Sequence, residues 1–193
     1  MSPTAISRQR PPVPLEAGGL TQAAASVLVS IMVCTAAWWD MKEGRLPNAI
    51  TVTGLAAAFI LRAPLGVESL LQGVGGFALA FGVSVVLYAL RAIGGGDVKL
   101  LAAVGAFLGS AEIMGALGLI AVLGAGYALL SVTWRGLLPL LLYNTIELVK
   151  GWLTLGRAGA IRKLESPNAL SIPYGIPIAL GTLFWWFGEG VSL

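Results

Sequence analysis

The sequence predicts an all-α integral membrane protein of about six transmembrane helices, with one further amphipathic helix lying at the interface. Three observations carry that prediction. Of the 193 residues, 57% are hydrophobic and only 11% are charged, whereas soluble domains carry about 25% charged residues. Mean hydropathy is +0.87. Several apolar stretches approach the roughly 20 residues that a helix needs to cross the hydrocarbon core. The 26 glycines suit the same reading, because small residues let transmembrane helices approach closely. The lipid bilayer is therefore the first partner expected.

Along the chain, residues 1–19 form a tail with Arg8, Arg10, Pro11, Pro12 and Pro14, expected to be disordered or to lie along the surface. Residues 20–193 form one polytopic membrane domain. The run 20–39 is longer than a signal-peptide core and ends in Trp38-Trp39-Asp40 rather than in a small-residue cleavage site. It is expected to be an uncleaved first span ending in an aromatic belt. Leu46-Pro47-Asn48 then makes a turn, with Asn48 suited to cap the second span, which runs to Leu61 and is stopped by Arg62 and Pro64. A third span covers about 68–90, a shorter fourth about 98–110, a fifth about 112–134 and the last about 172–188, where Trp185-Trp186 reads as a second aromatic belt.

Between the last two spans, Leu137 to Leu155 places Asn144, Glu147 and Lys150 on one helical face and Leu141, Leu148 and Trp152 on the other. An interfacial helix fits this pattern, with a seventh span as the alternative. Arg157, Arg162 and Lys163 follow in a basic loop. Suppose the loops after spans one, three and five face the cytoplasm. They then hold nine of the basic residues, and the opposite side holds only Arg8, Arg10 and Arg62. The positive-inside rule favours that orientation.

Composition also excludes chemistry. With no histidine and a single cysteine, the chain has no Ser-His or Cys-His nucleophile pair, no histidine-bound metal and no internal disulfide. Cys34 lies in an apolar segment and reads as a small core residue. The basic residues are dispersed among loops, which argues for topology signals and against a nucleic-acid partner. No metal or cofactor is expected.

There are only two aspartates, Asp40 and Asp97, and both flank apolar segments. A carboxylate near hydrocarbon is costly and points to function. Asp97 follows Gly94-Gly95-Gly96 and precedes Val98-Lys99-Leu100. The glycines remove bulk beside the carboxyl group, and a helix starting there offers free N–H groups to it. A flexible loop ending in a helix cap is the plain alternative. Asp40 alone also reads as a solvated loop residue. The charge-derived orientation, however, puts both aspartates at the cytoplasmic ends of their helices, where they can meet. Two carboxylates sharing one proton can activate water.

At this point the sequence resembles a known family. Gly94-Gly95-Gly96-Asp97-Val98-Lys99-Leu100 is similar to the G-x-G-D-x-K-L block of type IV prepilin peptidases. Asp40 with Leu46-Pro47-Asn48 resembles their upstream aspartate block, and Ile172-Pro173-Tyr174-Gly175-Ile176-Pro177 resembles a segment of their short, pilus-assembly members. The resemblance implies that Asp40 and Asp97 are the catalytic pair. On the residues' own chemistry, Gly94 and Gly96 make room beside Asp97, and Lys99 has a supporting role at most. Tyr174 either hydrogen-bonds near the site or only shapes the start of the last helix. The resemblance also implies removal of the leader from prepilins at the cytoplasmic face of the bacterial inner membrane, and contact with the pilus assembly machinery. Longer members add an N-terminal region with cysteine pairs, and the single Cys34 does not match them. An intramembrane protease of the presenilin or signal-peptide-peptidase kind also uses G-x-G-D. A small proton or cation transporter is the non-enzymatic alternative.

Overall fold

In the computed structural model, the described residues are 15–90, 92–134, Gly136, 173–191 and Leu193. The expected interfacial helix and its basic loop lie outside them. Six α-helices follow in order: α1 Leu15–Glu43, α2 Asn48–Arg62, α3 Val67–Ala89, α4 Gly95–Leu108, α5 Ile113–Trp134 and α6 Gly175–Gly188. A short 3-10 turn, Ala63–Leu65, joins α2 to α3, and no strand occurs among the described residues. Each helix coincides with an expected span to within a few residues, since hydropathy is the dominant signal in such a chain.

Four of the helices, α1, α2 with its 3-10 turn, α3 and α5, are long and apolar enough to cross a membrane. The other two, α4 and α6, have 14 residues each. At 1.5 Å per residue each is about 21 Å long, short of a hydrocarbon core of about 30 Å. Breakers set these lengths. Gly109, at φ 83°, ends α4, and the turn at Pro173-Tyr174 precedes α6.

Consecutive helices run in opposite directions. Asp40, near the end of α1, accepts a hydrogen bond from Gly175 N at the start of α6. At the other end, Leu193 N donates to Gln22 Oε1 near the start of α1. The short helix α4 occupies the centre, packed against all five others. Every residue of α4 from Val98 to Leu108 is buried except Lys99. A helix that is apolar all round belongs in such a position.

Close packing around α4 depends on two glycines. A Cβ on Gly105 would overlap the carbonyl oxygen of Gly76 on α3, and one on Gly76 would overlap that of Gly105. The far end of α4 is held by Arg62, which is 2% exposed. Its Nε donates to Ala106 O at 2.8 Å and its Nη2 to Phe107 O at 2.8 Å. Its Nη1 reaches Ser69 O and Oγ at 3.0 and 3.1 Å. A cation on the last carbonyls of α4 satisfies groups the helix leaves open and complements its dipole. Arg62 was expected only to stop a span; it also ties α2, α3 and α4 together.

Two expectations need correction. Trp186 is not part of a belt. It is 2% exposed, stands edge-on to Phe107 with centroids 6.4 Å apart, and donates Nε1 to Ser26 Oγ at 2.9 Å. Because α6 is short and internal, its tryptophans turn inward, and Trp185 Nε1 donates to Glu112 Oε2 at 3.1 Å. Cys34 is exposed on the outside of α1 and is not a core residue. On the same helix, Lys42 lies 4.8 Å from the centroid of the exposed Trp38 ring.

Candidate active site

The site lies where α1 ends and α2, α4 and α6 begin. Gly44, at φ 60°, turns the chain out of α1, its N–H bonded to Asp40 O at 2.9 Å. The following residues fold back over the start of α4. A Cβ on Gly96 would stand 2.9 Å from Leu46 Cβ, so Leu46 fills the space that Gly96 leaves. The two aspartate-bearing stretches are thus packed directly on each other.

Asp40 and Asp97 are both nearly buried, at 9% and 8% exposure. They line one pocket of about 330 Å³ together with Arg45, Leu46, Asn48, the Gly94–Gly96 run and Lys99. Asp97 occupies the first turn of α4, where Gly94 N donates to its Oδ2 at 3.0 Å. Glycine has no side chain to return the bond, so only half of a capping box forms. Asp40 Oδ2 accepts from Gly175 N at 2.8 Å. Each carboxylate therefore sits at a helix N-terminus, Asp97 in its own helix and Asp40 at the first turn of α6.

The electrostatics distinguish Asp97, which precedes the apolar run of α4. Burial pushes its carboxyl up from 3.8 to about 6, against the lowering effect of the Gly94 N–H, and the charge of Asp40 adds to the rise. The Tyr174 phenol is raised above its usual 10.0, first by burial and then by the charge of Asp97. Its ring rests on α5, where a Cβ on Gly124 would collide with it.

Lys99 and Asn48 join across the pocket, Lys99 Nζ donating to Asn48 Oδ1 at 2.8 Å. Asn48 therefore does not cap α2. Pro47 takes the cap position without a side-chain bond, and Asn48 is the first helical residue. Sequence reasoning missed Leu46 and Gly175 as parts of the site. Both stand inside quoted blocks, Leu46-Pro47-Asn48 and Pro173-Tyr174-Gly175, which was the available signal.

A membrane-type helical bundle with two buried carboxylates in one end pocket is the class of protein these features define. The chain belongs to the Type IV leader peptidase family, whose match covers residues 27–129 and so includes both aspartates. It is also 32% identical over 176 residues to a Prepilin leader peptidase/N-methyltransferase of Myxococcus xanthus strain DK1622. That alignment covers 86% of this chain and 44% of the relative, so the chain spans less than half the length of the curated protein it matches. No solved structure matches it.

Proposed function

We propose that this chain is a membrane aspartic endopeptidase that removes the leader from prepilins of the type IV or Flp-like kind. One observation carries the reading: Asp40 and Asp97 line a single pocket. Burial of Asp97 and the nearby charge of Asp40 both favour the protonated form of Asp97, which can therefore hold the proton of the pair. The ionised carboxylate takes a proton from water as the water oxygen bonds to the scissile carbonyl carbon. The protonated carboxyl group gives its proton to the carbonyl oxygen, forming a gem-diol. The first carboxyl group then passes the proton it took from water to the leaving nitrogen as the C–N bond breaks, and the gem-diol returns a proton to the second carboxylate as the carbonyl re-forms. The products are a carboxylate and an amine. No covalent intermediate forms with the enzyme.

In this reading the pocket faces the cytoplasm. Lys42, Arg45 and Lys99 stand at its end of the bundle, while Arg62 at the other end is tied into backbone carbonyls. That distribution follows the positive-inside rule. The substrate is a prepilin whose own hydrophobic helix lies in the bilayer beside the enzyme and presents its leader junction at the pocket. The proposal covers the peptidase part of the relative's double name.

Membrane vesicles test reaction and orientation together. A prepilin supplied to inside-out vesicles containing the chain should lose its leader, and right-side-out vesicles should leave it intact. Cleavage by neither preparation would reject the peptidase reading. Cleavage by the right-side-out preparation alone would reject the orientation.

A further inference from the structure

Gly175 occupies the first turn of α6, where glycine runs against helix preference by roughly 0.5–1 kcal/mol relative to alanine. It is an ordinary helical residue, following Tyr174 at φ −81° and ψ −11°, so no unusual backbone conformation calls for it. Its surroundings do. A Cβ there would stand 3.0 Å from both Asp40 Cβ and Asp40 Oδ2, and 3.2 Å from Ala37 Cα. The N–H groups of a helix's first turn have no partner within the helix. This one is buried and given to Asp40 Oδ2 at 2.8 Å, across 135 residues of sequence.

The same arrangement recurs at the second aspartate. Gly94 N donates to Asp97 Oδ2, and a Cβ on Gly94 would stand 3.2 Å from that oxygen. Among the described residues, neither Oδ1 has a hydrogen-bond partner, and neither is a sealed, unsatisfied atom. Each carboxylate thus has one oxygen held by a backbone amide and one left open to the pocket.

Resting on the aspartic-peptidase reading, we propose that the Gly175 N–H is a positioning group for Asp40, the counterpart of the Gly94 N–H on Asp97. The two amides fix the rotation of both carboxylates and present the two Oδ1 atoms to water and peptide. The start of α6 is therefore part of the catalytic apparatus, although it carries no reacting side chain. Glycine suits position 175 because a Cβ there would crowd the carboxylate that the amide holds.

The test is Gly175→Ala, assayed on a prepilin in detergent or nanodiscs. An added methyl stands 3.0 Å from Asp40 Cβ and Oδ2 and shifts the carboxylate on its donor by a few tenths of an ångström. The kcat should fall about 10-fold, as for weakening a hydrogen bond to a charged group. KM should change less than about threefold. A structural role alone would lower the folded fraction and leave kcat per folded molecule unchanged, whereas loss of the positioning bond lowers kcat itself with KM nearly kept. Gly118→Ala, with nothing within 4 Å of the added Cβ, should behave as wild type. Should Gly175→Ala fail to fold, replacing the 174–175 peptide with an ester removes the N–H without adding bulk and decides the question. Wild-type turnover in either variant overturns the proposal, as does a loss that appears in KM alone or in the folded fraction with kcat unchanged. A wild-type chain that cleaves no prepilin refutes the peptidase reading instead.

Discussion

Asp97 is a carboxylate held where burial opposes its charge. Its pKa, raised from 3.8 to about 6, means that the folded state holds this proton more tightly than the unfolded chain does. Folding stability from this residue is therefore greatest below pH 3.8 and declines as pH rises through about 6. Above that range the cost is on the order of 3 kcal/mol, from about 1.36 kcal/mol per unit. Asp97→Asn keeps an oxygen for the Gly94 N–H and carries no charge. At pH 7.5 it should melt several degrees above wild type in detergent, with the difference closing near pH 4. An unchanged or lower melting temperature at pH 7.5 would contradict the account. At this scale the sequence was informative where a residue type was scarce. Asp40 and Asp97 stood out because they are the only two aspartates beside long apolar runs. Pairings across the bundle were not readable. The bond of Lys99 to Asn48 and that of Gly175 to Asp40 depend on distances between helices, which no local pattern encodes. Trp186 was misread for a related reason: a Trp-Trp pair at a helix end looks the same whether it meets headgroups or a partly buried serine on another helix.

At the scale of the element, α4 carries the site. Its first turn holds Asp97, its last carbonyls are held by Arg62, and its middle meets α3 through Gly76 and Gly105. Depth in the bundle explains why a helix too short to span a membrane is nonetheless the most buried. Its limits were legible to within three residues, as an apolar run following the Gly94–Gly96 stretch, but its end at Gly109 was not singled out. Its central position was not legible, since a helix that is apolar all round gives no preferred face to read. Gly105→Ala forces α3 and α4 apart and should destabilise the protein by about 1–3 kcal/mol, with prepilin cleavage reduced as Asp97 shifts. On α3, an alanine at Gly82 meets nothing within 4 Å and should be neutral or raise the melting temperature slightly. Equal effects of the two substitutions in thermal unfolding would contradict the packing described here.

For the whole molecule, alternation of helix direction decides what can meet. Because α1 ends where α4 and α6 begin, residues far apart in sequence converge in one pocket at one end of the bundle. Among the described residues, the order of the helices and the shared end of Asp40 and Asp97 were legible from hydropathy and charge. The folding of Leu46 onto Gly96 was not, because it depends on how tightly the turn after Gly44 closes. The account's central claim is that Asp40 and Asp97 act as one catalytic unit on a prepilin leader. Single-turnover cleavage by Asp40→Asn, by Asp97→Asn and by the double variant tests it most directly, each protein first shown to fold in the membrane. A shared mechanism predicts that either single change abolishes measurable cleavage and that the double variant is no worse than the singles. Near-normal cleavage by either single variant, or losses that add independently, would contradict it.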